Sequence, residues 1–407
     1  MALFASASIA PVTTEARPFV YVANRDADSV SVLDPRTNTV VINVPVGSAN
    51  QLAGGSDGIR MYVTEFKFAA VVGVDTRSNQ VVVAFDVGAE PSGIAVTHRG
   101  DRAYVANRGD NTISFLDLAA CVSTSTACAS AATIAVGSEP LGVAITPADD
   151  AVYVSLQNGA SVWIIDAADH HVRAKVAVGT GPRGIAFAPD GARAYVANHG
   201  SGTLSVLDTA ALSVVDTITL GGGPIAVAVA PDGRIYVSND VGTLQAIDPK
   251  SKEIVAVAIG ANTDPQGLAL LPDGSRVYVT NNAPDTVAVI DTARNVVAST
   301  VRVESGPRGV AVVDVPQPTA TPTATATPTV TDTPTPTPTS TLGPCVGDCD
   351  HNGSVTVDEL VRGVNIALGD AALDDCPAFD HDGSKVVTVD ELVLAVNAAL
   401  NECVGED

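Results

Sequence analysis

Short runs of apolar residues, rich in Val, Ile and Ala, alternate with Gly, Pro, Asn and Asp from residue 16 to residue 315. Residues 182–215, PRGIAFAPDGARAYVANHGSGTLSVLDTAALSVV, contain four such runs: GIAFA, RAYVAN, TLSVLD and LSVV. TLSVLD alternates with a period of two, and the segments PDG and HGSG consist of turn-forming residues. Because β-branched runs bounded by turn residues are typical of hairpins, this stretch predicts four consecutive antiparallel strands.

The four-strand pattern repeats along the chain, and tyrosine marks its period. Each tyrosine is followed by valine, and the spacings are 41, 42, 49, 42, 41 and 42 residues. The seven positions are Tyr21, Tyr62, Tyr104, Tyr153, Tyr195, Tyr236 and Tyr278. An aspartate follows 13 residues after each tyrosine except Tyr236, where it follows after 12. Four strands in about 42 residues are typical of a propeller blade, whereas leucine-rich solenoid repeats are shorter. We therefore predict an all-β fold, a seven-bladed β-propeller.

The first unit lacks the strand that precedes the tyrosine in the other units. Those units carry a segment similar to PxGIAV there, whereas the first unit begins with ARPFVYVAN. The missing segment appears after the seventh unit, as GPRGVAVVDV at residues 306–315. We predict that this strand completes the first blade, which closes the ring and hides strand edges that an open array would expose.

The cysteines predict disulfides. The one long interval between tyrosines contains CVSTSTAC, so that Cys121 and Cys128 bracket a Ser/Thr-rich insertion. The other four cysteines lie in the C-terminal tail: Cys345, Cys349, Cys376 and Cys403. An even number in small elements indicates disulfides and an oxidising compartment, with three connectivities open in the tail. Zinc is the alternative, but the sequence contains no CxxC, and a CxxCH haem motif is also absent.

Composition predicts four segments. Residues 1–15 precede the repeats, residues 16–315 form the propeller, residues 316–344 form a Pro/Thr linker, and residues 345–407 form a small all-α domain. A linker of alternating Pro and Thr favours extended chain at about 3.1 Å per residue, which predicts an arm of roughly 80–90 Å. The N-terminal segment lacks the basic start of a signal peptide. An extracellular or cell-surface location is nevertheless inferred, because the cysteines indicate an oxidising compartment and the Pro/Thr linker is suited to an extracellular protein.

The tail repeats itself with an offset of 32 residues. DCDHNGSVTVDELVRGVNIAL at 348–368 aligns with DHDGSKVVTVDELVLAVNAAL at 380–400. Oxygen donors at positions 1, 3, 5, 7, 9 and 12 around a turn fit a calcium loop, and we predict two calcium sites. The predicted ligands of the first site are Asp348, Asp350, Asn352, Ser354, Thr356 and Glu359. Those of the second site are Asp380, Asp382, Ser384, Val386 (through its carbonyl), Thr388 and Glu391. Lys385 replaces Gly353 at the turn position, at a cost of order 1 kcal/mol, so we expect the second site to be weaker.

Each predicted loop leads into a helical pattern. The first stripe is Leu360, Val361, Val364 and Leu368, and its counterpart is Leu392, Val393, Val396 and Leu400. This spacing lies on one helix face, which predicts two short helices that pack face to face. Residues 345–407 contain 14 acidic and 2 basic residues that repel one another without a counterion. We therefore expect calcium binding to form part of the folding free energy.

Two resemblances follow from these segments. YVAN, YVTNN and PDGARAYVANHGSGTLSVLDT resemble the YVTN-type β-propeller repeat of surface-layer and periplasmic proteins, although units 2 and 4 carry YVTE and YVSL. This resemblance covers residues 16–315 and implies a binding role without a particular reaction. Residues 345–403 resemble a dockerin, although the loops end in glutamate rather than aspartate. The second resemblance implies a calcium-dependent docking module with a cohesin-like protein partner.

Charge and hydropathy limit the partners. The 407-residue chain has a formal net charge of −23, and its mean hydropathy is +0.27. The negative electrostatic potential of such a chain argues against nonspecific binding of nucleic acid or of an anionic membrane, so we predict no nucleic-acid partner. No apolar run approaches the roughly 18 residues of a membrane span, so we predict no transmembrane segment.

Basic residues are predicted to meet at one mouth of the ring. The position after the tyrosine motif and the residue that opens each inner strand lie on the same face of a propeller. Blades 1, 3 and 5 place basic residues there: Arg25, Arg108, Arg183, His199 and Arg308. Gln51 is predicted to take the strand-opening position of blade 2. The cluster predicts a site for an anionic glycan or small molecule, and the alternative is arginines that solvate surface loops.

No catalytic residue is assigned, because GxSxG, HExxH and a cysteine–histidine pair are all absent. We predict a secreted or cell-surface binding or scaffold protein, whose propeller binds a ligand or protein and whose tail docks in the presence of calcium. The alternative is an extracellular propeller hydrolase or lyase, acting on a lactone or polysaccharide and carried to a complex by a dockerin.

Overall fold

The computed structural model describes residues 16–55, 57–121, 128–260, 263–316, 347–349, 355–368 and 376–380, together with positions 387, 392, 395 and 396. The chain divides into two compact units, residues 1–321 and 322–407. The described part of the first unit forms seven sheets, with the strands numbered β1 to β29 along the chain. Among the described residues, no helix is both long and apolar enough to cross a membrane.

Each sheet is antiparallel in its four main strands, which follow one another from the axis outwards. Blade 1 contains β29 (Pro307–Pro316), β1 (Ala16–Asn24), β2 (Ser29–Asp34) and β3 (Thr39–Pro45). Blade 2 contains β4 (Ala49–Gly54), β5 (Arg60–Glu65), β6 (Ala70–Asp75) and β7 (Gln80–Asp86). Blade 3 contains β8 (Pro91–Val96), β9 (Arg102–Asn107), β10 (Thr112–Asp117) and β12 (Ala132–Ala135). Blade 4 contains β13 (Pro140–Ile145), β14 (Ala151–Leu156), β15 (Ser161–Asp166) and β16 (Val172–Ala177).

The last three blades repeat this order. Blade 5 contains β17 (Pro182–Phe187), β18 (Arg193–Asn198), β19 (Thr203–Asp208) and β20 (Ser213–Thr219). Blade 6 contains β21 (Pro224–Val229), β22 (Ile235–Asn239), β23 (Thr243–Ile247) and β24 (Ile254–Ala258). Blade 7 contains β25 (Pro265–Leu270), β26 (Arg276–Asn281), β27 (Thr286–Asp291) and β28 (Val296–Arg302).

The ring closes through the first blade. Strand β29 pairs antiparallel with β1, with Val312 opposite Val20 and Ala311 opposite Tyr21. The inner strands contact one another in the circular order β29, β4, β8, β13, β17, β21, β25 and back to β29. The prediction that the last strand completes the first blade is therefore confirmed.

The repeated tyrosine and aspartate have separate structural roles. Every tyrosine lies in the second strand of its blade and is at most 5% exposed, packed among the apolar side chains between blades. The aspartate ends or follows the third strand and caps the outer hairpin. Asp208 Oδ1, for example, accepts hydrogen bonds from the backbone N–H groups of Ala210 at 3.0 Å and Ala211 at 2.8 Å. Carboxylates that bind the backbone two and three residues on are typical of turns, which explains the fixed spacing.

The insertion after β10 departs from the four-strand pattern. Cys121 and Cys128 form a disulfide, as predicted. Strand β11 (Cys128–Ala129) then pairs in parallel with β7, so the sheet of blade 2 has five strands rather than four. Cys121 is buried and packs with Phe85 and Tyr62 of blade 2. The insertion of blade 3 thus covers part of the exposed edge of its neighbour.

The second unit contains a helix, α1 (Val357–Leu368), and a 3₁₀ turn over Pro377–Phe379. Its buried cluster contains Ile366, Cys376, Phe379, Val387 and Ala395, with Leu360 and Leu392 packed against it. A disulfide joins Cys349 to Cys376, and Cys345 and Cys403 lie outside the described residues.

The buried face of α1 differs from the predicted stripe. Val361 is 54% exposed and Val364 44% exposed, whereas Ile366 is buried. Glu359 is also buried, and residues seven apart share one face of a helix. The inward face of α1 therefore includes Glu359 and Ile366, which the predicted apolar stripe did not contain.

Candidate functional site: an arginine-lined cavity

Each inner strand begins with a β-bulge that sets the direction of one side chain. In blade 5, Pro182 lies opposite Asn198 and Ile185 opposite Val196, so that Arg183 and Gly184 together oppose a single residue. The same register shift occurs in blades 2, 3, 4, 6 and 7. A bulge bends the strand and redirects side chains, and here Arg183 lines the central cavity.

The glycine of the bulge is required by the close approach of neighbouring inner strands. A Cβ on Gly267 would lie 2.5 Å from the carbonyl oxygen of Arg308. On Gly142 it would lie 2.2 Å from the carbonyl oxygen of Arg183. The glycine therefore lets the arginine-bearing strands lie against the preceding blade.

Four of the five predicted basic residues line one cavity of about 390 Å³ at the axis: Arg25, Arg108, Arg183 and Arg308. His199 does not line this cavity, and its Nε2 lies 3.3 Å from Asp240 Oδ2 instead. Burial and the neighbouring Arg183 lower the pKa of His199, so the imidazole favours the neutral form. The structure thus assembles the arginines but places the histidine against a carboxylate.

In blade 2 the residue equivalent to Arg183, the second residue of the inner strand, is Asn50. The prediction that Gln51 takes this position is therefore wrong. Ala49 lies opposite Glu65 and Leu52 opposite Val63, so Gln51 stands where other blades carry glycine. The prediction was wrong by one residue because Ala49 replaces the proline that begins the inner strand in the other blades. Both Asn50 and Gln51 line the cavity.

Arg183 and Arg308 have no close counterion among the described residues, and Asp264 attracts both only at longer range. Among the described residues, neither makes an ion pair within 4.0 Å, and the Nε atom of each is buried without a hydrogen-bond partner. Burial lowers the pKa of both guanidinium groups, and the nearby Arg25 adds to the effect on Arg308. Buried donors on a positive group are costly unless they are satisfied, so these two side chains are suited to accept an anion.

The other two arginines are partly compensated. Arg108 lies 3.5 Å from Glu139, and Arg25 lies 3.9 Å from Asp26 while its guanidinium stacks 5.3 Å from the ring centre of Phe66. Both stand in the turns after the tyrosine motif, whereas Arg183 and Arg308 stand on inner strands. The cavity therefore has two arginines on inner strands without a close ion pair, and two arginines in turns that each have one.

The lining offers no general base. Among the described residues that line the cavity, none is Asp, Glu, His, Lys, Cys or Tyr. The hydroxyl of Ser92 lies 3.2 Å from both the carbonyl oxygen of Ala106 and that of Pro140, to which it donates. A serine nucleophile needs an adjacent base, and the described lining places no carboxylate or imidazole beside Ser92.

In the second unit, the described ligands of the first predicted calcium site are Asp348, Thr356 and Glu359. Glu359 Oε1 accepts the N–H of Cys349 at 2.8 Å, and Oε2 accepts the N–H of Thr356 at 2.8 Å. Thr356 and Glu359 form a capping box at the start of α1, which the sequence contains as T-x-x-E and which the ligand assignment overlooked. Asp348 is 5% and Glu359 6% exposed. Carboxylates buried at both ends of one loop fit a hard cation.

Most of the other predicted ligands fall outside the described residues: Asp350, Asn352, Ser354, Asp382, Ser384, Val386, Thr388 and Glu391. Asp380 is described and half-buried.

A separate group of possible metal ligands, Asp166, Asp169 and His171, lies in the outer hairpin of blade 4. There Asp166 caps the turn and pairs with Arg173 at 2.6 Å, so the group has a structural role.

Comparisons with known proteins agree with the architecture. A family model described as "Lactonase, 7-bladed beta-propeller" matches residues 161–313. No curated protein matches the chain.

Three solved structures share the fold. A functionally unknown protein from Desulfotomaculum acetoxidans is 17% identical with a TM-score of 0.63, over 73% of this chain and 99% of that chain. A putative 6-phosphogluconolactonase from Bacteroides fragilis is 17% identical with a TM-score of 0.61, over 75% and 100%. Hydrazine synthase from Kuenenia stuttgartiensis is 19% identical with a TM-score of 0.58, over 65% and 89%. The sheet topology and these likenesses together show the fold of a seven-bladed β-propeller.

Proposed function

We propose that the propeller binds small organic anions, and that the charged group of the ligand lies between Arg183 and Arg308. The observation that carries this proposal is that Arg183 and Arg308 line the cavity and, among the described residues, make no ion pair within 4.0 Å, unlike Arg25 and Arg108. A carboxylate or phosphate in the cavity would accept charge-assisted hydrogen bonds from the two guanidinium groups that line it and would neutralise them. Because both arginines stand on inner strands, they are held in place before the ligand arrives, which reduces the cost of binding.

Turnover of a lactone is the second candidate, and the match of residues 161–313 to a lactonase family model favours it. Both Arg183 and Arg308 lie within that match. Opening a lactone by water requires a group that activates the water, and the described lining contains no carboxylate or imidazole. Binding without turnover therefore fits the cavity better.

The tail is proposed to be a calcium-dependent docking module on a secreted or cell-surface protein. The buried Asp348 and Glu359 support the calcium site, and the Cys349–Cys376 disulfide supports an oxidising compartment. Val364 and Val396 occupy equivalent positions of the two halves and are 44% and 42% exposed. A cohesin-like domain as the protein partner follows from the resemblance of residues 345–403 to a dockerin.

Thermal unfolding of the full chain tests the anion site without a known ligand. Acetate, phosphate and the uncharged acetamide are compared at constant ionic strength in wild type and in Arg183→Ala/Arg308→Ala. An anion that binds only the folded state stabilises it by RT ln(1 + c/Kd), where c is the free anion concentration, so acetate and phosphate should raise the wild-type midpoint and acetamide should not. The double variant should lose the response. A response that persists in the double variant would place the anion elsewhere, and hydrolysis of a lactone panel by the wild type would favour the second candidate.

A further inference from the structure

A ring of aliphatic side chains lines the same cavity. Six blades contribute to it from the position that follows the bulge glycine, or Ala226 in blade 6: Ile94, Val143, Ile185, Val227, Leu268 and Val310. Ile94, Val227 and Val310 are each 8% exposed and belong to the buried clusters between blades. The rest of the ring is partly buried and retains surface toward the cavity. The arginines therefore share the cavity with an apolar wall.

Two further apolar side chains stand among the polar ones. Leu141 and Ile225 occupy the strand-opening positions of blades 4 and 6 and line the cavity. The equivalent positions of blades 3, 5 and 7 carry Ser92, Arg183 and Gln266. Because the repeat accommodates serine, glutamine and arginine at this position, the fold does not require an apolar residue there. Leucine and isoleucine thus add to the apolar part of the cavity.

We infer that the ligand is an organic carboxylic acid with an apolar body, an inference that rests on the proposed anion site. The carboxylate lies at Arg183 and Arg308, and the hydrocarbon body contacts Leu141, Ile225 and the aliphatic ring. Removing hydrocarbon from water against these side chains is favourable. The many hydroxyl groups of an acidic sugar would lose hydrogen bonds to water against the same wall. The apolar wall therefore favours a hydrophobic acid, whereas the amides of Gln157 and Gln266 in the same lining would favour the acidic glycan, and the test below distinguishes the two.

Calorimetry of the full chain with acids of equal charge tests this inference. Acetate, butyrate and hexanoate differ only in chain length, and glucuronate has the same charge with a hydroxylated body. Affinity should rise about three- to four-fold for each added methylene, and glucuronate should bind no more tightly than acetate. A flat series, or tighter binding of glucuronate than of hexanoate, would overturn the inference.

The repeat supplies matched variants for the apolar wall. Leu141→Ser reproduces Ser92 of blade 3, and Ile225→Gln reproduces Gln266 of blade 7, so both changes use residues that this position already accepts. Each should weaken hexanoate several-fold and leave acetate unchanged. Equal loss for both acids, or no loss for either, would contradict contact between the hydrocarbon and these side chains.

The outcomes separate the two proposals. If acetate and hexanoate bind equally and Arg308→Ala abolishes both, the anion site stands and the hydrophobic-acid inference fails. If no acid binds, or if binding ignores both arginines, the proposed function itself fails.

Discussion

Thr280 Oγ1 donates a hydrogen bond of 2.6 Å to the carbonyl oxygen of Arg308 and accepts one of 2.7 Å from the N–H of Gly267. Ser155 makes the same bridge in blade 4, donating to the carbonyl oxygen of Arg183 at 2.6 Å. In both cases the hydroxyl satisfies backbone groups that the β-bulge removes from the strand ladder. The two arginines without a close counterion are thus fixed through their backbones by the preceding blade.

Removal of this hydroxyl should loosen the arginine. Thr280→Val preserves the shape of the side chain but leaves the N–H of Gly267 without its partner, which should cost about 1–3 kcal/mol in the free energy of unfolding. Anion affinity should fall several-fold, because Arg308 loses its fixed backbone, and Thr280→Ser should restore both quantities. Denaturant titration and calorimetry measure them.

The matched control for this change is Ser238→Ala. Ser238 occupies the equivalent position of blade 6 and accepts the N–H of Ala226 at 3.1 Å. It should lower stability without changing anion affinity. An equal loss of affinity in Ser238→Ala and Thr280→Val would contradict a specific role of Thr280 at the arginine.

Closure of the ring depends on strand β29. A chain that ends at Gly306 lacks Val310, Val313 and Val315, which are buried against β1, β4 and the strands of blade 7. We expect this truncation to lower the thermal midpoint by more than 10 °C, at roughly 2–4 °C per kcal/mol for a domain of this size, or to prevent folding. The control is a chain that ends at Pro316 and retains β29. Equal melting of the two truncated chains would contradict the closure.

Acid should destabilise the outer hairpins. The N–H of Ala168 and the Arg173 guanidinium lower the pKa of Asp166 to about 2. Backbone N–H groups likewise lower the pKa of Asp208 and of Asp248. A carboxylate with a depressed folded-state pKa stabilises the protein above its unfolded pKa of about 3.9, and that stability is lost as pH falls toward the folded pKa.

The midpoint of thermal unfolding should therefore fall steeply between about pH 4 and pH 2. Asp208→Asn keeps a side-chain acceptor for the N–H groups of Ala210 and Ala211 but does not titrate. It should reduce the slope of the midpoint against pH in this range. A slope that is unchanged in Asp208→Asn would show that Asp208 does not contribute to acid sensitivity.

Calcium should stabilise the tail. Titration of residues 345–407 with calcium should raise helical circular dichroism in one or two saturable steps, because the ion neutralises the acidic loops. Glu359→Gln should remove the tighter step. Asp358→Asn, a change at a non-ligand position of the same loop, is the control for charge alone. Equal helicity in calcium and in excess chelator would contradict the calcium assignment.

The repeat made much of the propeller predictable. Strands, blade number, ring closure and the meeting of four arginines all follow from units that carry the same residues at the same positions, as Tyr21 and Tyr278 do. Features specific to one unit were not predictable in this way. The parallel pairing of β11 with β7 depends on the path of an insertion. In blade 2 the predicted position fell on Gln51 instead of Asn50, because this blade lacks the proline that begins the other inner strands.

The pairing of the basic residues with carboxylates was also not predictable from the sequence. The sequence does not distinguish the four arginines from one another. Among the described residues, however, only Arg183 and Arg308 lack a carboxylate within 4.0 Å, whereas Arg25 and Arg108 each have one. His199 belongs to the same pattern but lies against Asp240. Which basic residue makes a close ion pair is decided by the carboxylates of neighbouring turns, and these differ from blade to blade.

The central claim is that Arg183 and Arg308 hold one anion between them, and calorimetry of a double-mutant cycle with hexanoate tests it most directly. Arg183→Gln and Arg308→Gln should each weaken binding about ten-fold or more, since each removes a charge-assisted hydrogen bond. Residues that contact the same group are coupled, so the double variant should deviate from additivity by at least about 0.5 kcal/mol. Arg294→Gln, a change of an exposed arginine paired with Asp291 at 3.0 Å, should leave affinity unchanged. Wild-type affinity in Arg183→Gln or Arg308→Gln would contradict the account.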